Sequence, residues 1–324
     1  MKKFTKWLLM LVLVVAVVAG GAVAYVTTAL PNVGPPENIK ITYTPERIAR
    51  GKYLANHVTV CADCHSSHDT TRFGLPIDTN RIGVGGMVFN GAVGVPGEIH
   101  VPNITPYNLK NWTDGELFRA ITCGVKKDGS AIFPIMPWPY YGKMDREDIY
   151  SIIAYIRSLK PQEANYPERK LDFPLNVIVH TIPQKAELGK LPAESDTLKY
   201  GAYLVNASGC MECHSQDNKG KLLPGLEFAG GRKFGLNGGF VRSANITPDK
   251  ETGIGAWTKE NFLAQFSKYS DPSYQPSTVD PGQFQTVMPW QFYAKMKKSD
   301  LEAVYAYLRT IKPVHNEVIK FDSK

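Results

Sequence analysis

A five-residue motif occurs twice in this chain, as Cys61-Ala62-Asp63-Cys64-His65 and as Cys210-Met211-Glu212-Cys213-His214. Two thiols separated by two residues can form thioether bonds to the two vinyl groups of one haem, and the histidine that follows can bind its iron. A zinc site would need a second pair of Cys or His ligands close by, and neither motif is followed by one. A redox dithiol would not need the histidine. The spacing therefore predicts two covalently bound c-type haems, held by Cys61, Cys64 and His65 and by Cys210, Cys213 and His214.

Outside the motifs, the two halves of the chain share further segments at a period of about 150 residues, far longer than a solenoid repeat. This period predicts a duplicated domain, with a first unit over residues 44–161 and a second unit over residues 195–315. The matching segments are Gly51-Lys52-Tyr53-Leu54 and Gly201-Ala202-Tyr203-Leu204, Asn103-Ile104-Thr105-Pro106 and Asn245-Ile246-Thr247-Pro248, Trp112-Thr113 and Trp257-Thr258, Met136-Pro137-Trp138 and Met288-Pro289-Trp290, Lys143-Met144 and Lys295-Met296, and Ala154-Tyr155-Ile156-Arg157 and Ala306-Tyr307-Leu308-Arg309.

Helical signals predominate in both units. Thr44 followed by Pro45 is typical of a helix start. Gly51 and Gly201 lack a side chain, so the terminal helix of each unit can cross closely there. Strand signals are weak and long loops fill the rest, so we expect an all-α fold. The terminal helices are predicted from apolar stripes at helical spacing, Ile149, Ile152, Ile153 and Ile156 in the first unit and Leu301, Val304, Tyr305 and Leu308 in the second.

Residues 1–30 are predicted to form a membrane helix. Trp7–Val26 is a run of 20 residues without a charge or a proline, long enough to cross a hydrocarbon core of ~30 Å. Three lysines precede the run, so the positive-inside rule places the N-terminus in the cytoplasm and the rest of the chain outside. Ala22-Val23-Ala24 also fits the cleavage site of a signal peptide. We favour an uncleaved single-pass anchor, because the apolar run continues beyond that site.

Two further segments are predicted to connect these parts. Residues 31–43 are rich in proline and show no periodicity, which indicates a tether that does not fold itself. Residues 162–194 join the units, and their prolines prevent a long helix. Because residues 171–182 are apolar, we expect the joining segment to pack as a strap along the domain interface, with His180 as a packing residue.

The sixth iron ligand distinguishes an electron carrier from an enzyme, because only an open iron can bind a substrate. Met136 and Met288 are predicted to be these ligands, since each lies in a repeated Met-Pro loop just before a terminal helix. Met144 and Met296 are also repeated, but each lies five residues before an apolar helix residue. That spacing is typical of a hydrophobic staple, so we interpret Met144 and Met296 as packing residues.

The other histidines and the fifth cysteine are not expected to bind iron. Cys123 has no counterpart in the second unit and is predicted to be a small buried residue. The histidines in this group are predicted to lie on the surface or beside the haem sites: His57, His68, His100 and His315.

Charge and cysteine content exclude two classes of protein. The formal net charge is +7, and three of these charges precede the apolar run, at Lys2, Lys3 and Lys6. The propionates of two haems would roughly cancel the remainder, and no Arg-rich or Lys-rich stripe suggests nucleic-acid binding. Four of the five cysteines belong to the motifs, which excludes a disulfide framework.

With both haem motifs and both Met-Pro loops, the chain resembles the class I di-haem cytochromes c. It is similar in particular to the membrane-anchored cytochrome c subunits of periplasmic alcohol, gluconate and aldehyde dehydrogenases. The Asn-Ile-Thr-Pro segments at 103 and 245 and the Tyr-Ile-Arg and Tyr-Leu-Arg helices support the resemblance, which covers about Thr44 to Pro313. It implies two tandem class I cytochrome c domains with long loops, covalent haem c, His–Met ligation and a protein redox partner.

The predicted function is electron transfer rather than catalysis. The chain is expected at the periplasmic face of the cytoplasmic membrane, between a dehydrogenase or quinol-oxidising complex and a terminal acceptor such as a terminal oxidase. The alternative is a di-haem enzyme of the peroxidase or thiosulfate-oxidising type, which would need an open iron.

Overall fold

The computed structural model describes residues 2–236 and 238–323, so Met1, Asn237 and Lys324 lie outside the described residues. Its first element is the helix α1 (Lys2–Ala29). Among the described residues, α1 is the one helix long and apolar enough to cross a membrane. The helix predicted in this region is therefore present, and its apolar side chains are exposed along most of its length.

The segment after α1 is extended, as expected of a tether, but it is docked on the first unit rather than free. The carboxylate of Glu37 forms an ion pair with Arg146 at 2.7 Å. The backbone of Glu37 lies so close to Gly115 that a Cβ there would come within 1.8 Å of its carbonyl oxygen. Ile41 is buried, and its N–H donates to Asp114. These contacts fix the chain that leads from α1 to the first unit.

The first unit contains six helices. In chain order they are α2 (Pro45–Tyr53), α3 (Cys61–Cys64), α4 (Pro106–Leu109), α5 (Asp114–Cys123), α6 (Trp138–Tyr141) and α7 (Arg146–Ser158). A π-turn over Leu54–Val58 continues α2. Thr44 caps α2 by accepting the N–H of Arg47, which confirms the predicted helix start.

The strap and the second unit contain the remaining helices. The strap carries the short helix α8 (Leu175–Ile178), and the second unit carries α9 (Thr197–Ala207), α10 (Cys210–Cys213), α11 (Lys259–Ser267), α12 (Trp290–Tyr293) and α13 (Lys298–Leu308). Apart from α4, which has no counterpart among the described helices of the second unit, the order of helices repeats that of the first unit. Thr113 and Thr258 start the equivalent helices α5 and α11 with capping boxes.

The first and last helices of each unit cross at a glycine. A Cβ on Gly51 of α2 would come within 1.7 Å of the carbonyl oxygen of Ser151 in α7, and a Cβ on Gly201 of α9 within 2.1 Å of that of Ala303 in α13. Tyr155 and Tyr307 lie beside the same contacts. The close crossings predicted from the two glycines are confirmed.

The prediction of an all-α fold was wrong, because the described residues include three small antiparallel sheets. The strands are only two to four residues long, too short to give an alternating apolar pattern. They are β1 (Val88–Asn90), β2 (Gly97–His100) and β3 (Lys170–Leu171) in one sheet, β4 (Asp217–Asn218) and β5 (Lys221–Leu222) in another, and β6 (Lys233–Leu236), β7 (Gly239–Arg242) and β8 (Phe321–Ser323) in the third.

Two of the sheets are built in the same way. In each unit a hairpin, β1–β2 or β6–β7, is extended by one strand from the chain that follows the terminal helix. In the first unit that strand is β3, which belongs to the strap, and in the second it is β8. The segment after each terminal helix is thereby paired with the hairpin that lies between the haem motif and the middle helix.

The two units share one hydrophobic core. Buried residues of α2 and α7 pack in the same cluster as buried residues of α9 and α13. The predicted apolar stripes lie in this core, with seven of the eight side chains buried and Tyr305 half-buried. The two haem motifs are therefore held on a single body.

Candidate haem-binding sites

Each motif forms one short turn of helix. The residue before the first cysteine is left-handed in both cases, with φ of 45° at Val60 and 62° at Gly209. The turn then brings the two cysteines of a motif onto one face, since residues three apart are neighbours on a helix. His65 ends its turn by donating its backbone N–H to Cys61, and His214 does the same to Cys210.

The two motif histidines are oriented by identical contacts. His65 Nδ1 lies 2.8 Å from the carbonyl oxygen of Pro102, and His214 Nδ1 lies 2.7 Å from that of Ala244. Burial lowers the pKa of both imidazoles, which favours the neutral ring. A neutral ring that donates from Nδ1 leaves the lone pair of Nε2 free for a metal. The arrangement is that of a metal ligand fixed by its backbone partner.

The Asn-Ile-Thr-Pro segments hold these carbonyl groups in place. Asn103 directly follows Pro102, and its Nδ2 donates to the carbonyl oxygen of Gln162 at 2.8 Å. Asn245 directly follows Ala244 and donates to Val314 in the same way at 2.8 Å. Each asparagine also accepts the N–H of the threonine two residues later. The repeated segment thus joins the partner of the histidine to the chain that leaves the terminal helix.

Sequence reasoning missed a further repeated pair beside the histidines. Ser66 and Ser215 follow the two motifs directly and are both fully buried. The Oγ of Ser66 accepts the N–H of Gly83, and that of Ser215 accepts the N–H of Phe228. Their recurrence at the same offset from the motifs is the signal that could have identified them.

All four motif cysteines keep some exposure to solvent. Cys213 is exposed and Cys61, Cys64 and Cys210 are half-buried, yet burial raises the pKa of all four thiols, to about 12 at Cys210 and about 11 at Cys213. Apolar residues that are half-buried and packed on the core also occur as equivalent pairs, Ile104 with Ile246 and Met136 with Met288.

The two repeated methionine pairs differ in burial. Met136 and Met288 are half-buried, whereas Met144 is 0% exposed and Met296 is 7% exposed. Met144 stands directly before Asp145, the N-cap of α7, and five residues before Ile149, the N4 residue of that helix. Met144 therefore occupies the staple position, and Met296 has the equivalent place before Lys297 and α13. The residues of each motif fit covalent attachment of a haem, with two cysteines and an oriented histidine.

The two sites are neighbours across the interface between the units. Tyr140 of the first unit donates to the carboxylate of Glu212, inside the second motif, at 3.0 Å, and its carbonyl oxygen accepts from Asn206 of the second unit at 3.0 Å. A buried tyrosine of each unit lies near both motifs: Tyr141 donates to the carbonyl oxygen of Thr59 at 2.9 Å, and Tyr293 donates to that of Ser208 at 2.8 Å. These tyrosines were also missed, although both stand three residues before the repeated Met144 and Met296.

The remaining predicted residues have other partners. His57 Nδ1 contacts the carbonyl oxygen of Phe292 in the other unit at 3.1 Å, and His68 contacts Asp63 at 3.1 Å. His180 lies in the strap against the carbonyl oxygen of Leu30, as expected of a packing residue. His100 and His315 pair with nearby carboxylates. Cys123 is half-buried at the end of α5.

The chain is similar to several proteins that carry cytochrome c in their names or descriptions. Residues 198–312 match the cytochrome c family. The chain is 29% identical over 283 residues to the fructose dehydrogenase cytochrome subunit of Gluconobacter japonicus, covering 82% of this chain and 52% of that one. It is 35% identical over 241 residues to the gluconate 2-dehydrogenase cytochrome c subunit of Pantoea cypripedii, covering 68% and 51%. It is also 24% identical over 266 residues to a diheme cytochrome c-type protein of Cereibacter sphaeroides, covering 78% and 81%.

The chain spans about half the length of the two dehydrogenase subunits that it matches. A cytochrome c domain binds haem c covalently and transfers electrons with it. The Cys-x-x-Cys-His motif at Cys210 and the ordered His214 lie inside the matched region. The chain therefore carries a cytochrome c domain and is related to the cytochrome c subunits of dehydrogenases.

Proposed function

We propose that the chain binds two haems and passes electrons between them. The single observation that carries this proposal is that both motifs have the same surroundings, down to the carbonyl group that orients each histidine. The first motif lies outside the region matched to the cytochrome c family, but it has the same contacts as the second. The haem count is tested by mass: the protein should retain two haem units after acid-acetone extraction, and a mass with one or none would contradict the proposal.

The distal ligands in this proposal are Met136 and Met288. A methionine that only fills the core is covered by protein, as Met144 is, whereas an iron ligand must be accessible to the haem. The half-burial of Met136 and Met288 beside the core fits the second role. Bound haem c supplies an iron that takes up and releases one electron, and His–Met ligation closes that iron to substrates and raises its potential.

Replacement of each methionine by alanine tests the ligands. Met136→Ala and Met288→Ala should each remove half of the near-infrared Met–iron band and let one haem per chain bind carbon monoxide. Met144→Ala and Met296→Ala serve as matched controls, and should leave the band intact while lowering the free energy of unfolding by about 2–5 kcal/mol. If Met144→Ala removes the band and Met136→Ala keeps it, the ligand assignment is wrong.

The closeness of the two motifs supports electron transfer within the chain. Tyr140 of the first unit donates to Glu212, inside the second motif, at 3.0 Å, and the buried Tyr141 and Tyr293 each contact the backbone just before the motif of their own unit. The function that follows is a carrier which accepts one electron at a time from a reduced partner and passes it to an oxidised one. Wild-type protein that turns over peroxide or thiosulfate at enzymatic rates, ~1–10³ s⁻¹, would instead support the di-haem enzyme.

The redox partners that fit this chain are a dehydrogenase or quinol-oxidising complex as donor and a terminal oxidase as acceptor. The names of the fructose and gluconate dehydrogenase subunits support a dehydrogenase as the donor. Rapid mixing with a reduced membrane dehydrogenase should reduce both haems in succession. If no dehydrogenase reduces the protein and a quinol-oxidising complex reduces it rapidly, the donor is a quinol-oxidising complex.

The membrane location that we propose is a single-pass anchor in the cytoplasmic membrane, with both units in the periplasm. The length and composition of α1 support it, and so do the lysines before the apolar run. Purified protein should partition with detergent and retain its N-terminal lysines. N-terminal sequencing that begins at Tyr25 would show a cleaved signal peptide instead.

A further inference from the structure

The loop that carries Met288 is held by the first unit. Gln285, three residues before Met288, is polar but 0% exposed. Its side-chain amide reaches the backbone of the first unit, where the N–H of Gly74 donates to Oε1 at 2.8 Å and Nε2 donates to the carbonyl oxygen of Arg72 at 2.9 Å. Gly74 and Gln285 are 211 positions apart in the sequence. A buried amide that both donates and accepts hydrogen bonds fixes the relative position of the segments it joins.

The backbones around Gln285 are paired as well. The N–H of Phe73 donates to the carbonyl oxygen of Ser277 at 2.8 Å, and the N–H of Val279 donates to that of Thr71 at 2.8 Å. The first-unit segment is itself a compact turn that begins four residues after His65, closed by a hydrogen bond from Asp69 to Pro76. The backbone that binds Gln285 therefore belongs to the segment that follows the first haem motif.

Hydrogen bonds continue from Gln285 to Met288. Oε1 of Gln285 also accepts the N–H of Thr286 at 3.0 Å. The Oγ1 of Thr286 accepts the N–H of Met288 at 3.1 Å. A continuous chain of hydrogen bonds thus runs from the backbone of the first unit to the backbone of Met288.

The equivalent loop of the first unit is held differently. Phe133 stands three residues before Met136, where it cannot make the amide contacts of Gln285. Instead the N–H of Ile132 donates to Gly124 at 2.6 Å, and the indole of Trp138 donates to Ile132 at 3.1 Å. These partners all belong to the first unit. The Met136 loop is supported from within its own unit, whereas the Met288 loop is supported from the other.

We propose that Gln285 is a positioning residue that seats Met288 over the second haem by using the first unit as its support. The inference rests on the proposed function, because it takes Met288 as an iron ligand. It adds that the distal side of the second haem depends on contacts with the first unit. The closed state of the second iron is then a property of the two-unit body rather than of the second unit alone.

Four full-length proteins test the proposal at equal haem content: wild type, Gln285→Leu, Met288→Ala and Gln275→Leu. Gln275 is exposed in the same loop and serves as the matched control. Gln285→Leu should lose up to half of the near-infrared Met–iron band, bind one carbon monoxide per reduced chain and lower the midpoint potential of one haem. Met288→Ala should do the same, and Gln275→Leu should match the wild type. Gln285→Asn, which is too short to keep both contacts, gives the same test if Gln285→Leu does not accumulate.

The outcomes separate the inference from the proposal on which it rests. If Met288→Ala loses half of the band while both Gln285 variants keep all of it, the positioning role is overturned and the ligand stands. If Met288→Ala keeps the whole band, the ligand assignment fails and the inference fails with it. Loss of the band at both haems in the Gln285 variants would indicate general disruption of the fold and would also overturn the positioning role.

Discussion

Tyr53 of the first unit donates a hydrogen bond of 2.6 Å to Asp300 of the second unit. The reverse contact is also present, since Tyr203 of the second unit donates to Asp148 of the first at 2.7 Å. Each tyrosine oxygen in turn accepts a backbone N–H from the other unit, that of Lys297 at Tyr53 and that of Asp145 at Tyr203. The duplicated units therefore meet through a reciprocal contact like that of a symmetric dimer.

Removal of one hydroxyl from this contact should destabilise the protein. Asp300 is fully buried, so Tyr53→Phe leaves its carboxylate short of a donor. A hydrogen bond to a charged group contributes about 1.5–3 kcal/mol, and we expect a loss of that size in the free energy of unfolding measured with urea. Tyr43→Phe is the matched control, because Tyr43 also donates to a carboxylate, Asp114, but is exposed. An equal loss in both variants would contradict the importance of burial at the interface.

Because the same tyrosines are buried, we expect the free energy of unfolding to fall at high pH. Burial, together with the nearby carboxylates, raises the pKa of Tyr53 and Tyr203 well above the ordinary value. The unfolded chain then loses these protons first, so the stabilisation is complete below about pH 10 and is lost as pH rises further. Urea denaturation between pH 9 and 11.5 should show this fall in the wild type and a shallower one in Tyr53→Phe. Parallel curves for the two proteins would rule out Tyr53 as a contributor.

The helix crossings provide a stability prediction that does not depend on charge. Gly51→Ala would place a methyl group 1.7 Å from the carbonyl oxygen of Ser151, where backbone rather than a flexible side chain must move. Overpacking of this kind costs about 1–3 kcal/mol or more, and thermal unfolding should show the decrease. Gly91→Ala is the control, because nothing lies within 4 Å of its added Cβ. If Gly51→Ala unfolds at the wild-type temperature, the close crossing is wrong.

Much of the helical arrangement could be predicted because the same residues recur in both units. The crossings at Gly51 and Gly201 and the start of α2 follow from residue types whose effects are local. The strands could not be predicted in this way, because β1 to β8 are only two to four residues long. In addition, β3 and β8 pair with strands that are distant in the sequence. The contact of Gln285 with Gly74 likewise leaves no local pattern, since it joins loops of different units.

Substitutions in the two Asn-Ile-Thr-Pro segments should each change one haem site and leave the other unchanged. Asn103→Ala should free the carbonyl group of Pro102 to move away from His65, and Asn245→Ala should do the same for Ala244 and His214. A weaker hydrogen bond at Nδ1 makes the imidazole a poorer electron donor to the iron, so the potential of that haem should rise. Each variant serves as the control for the other, because each should shift one of the two midpoint potentials in a redox titration and leave the other in place. A shift of both potentials in either variant, or of neither, would show that the segment acts on the fold as a whole and not through the histidine beside it.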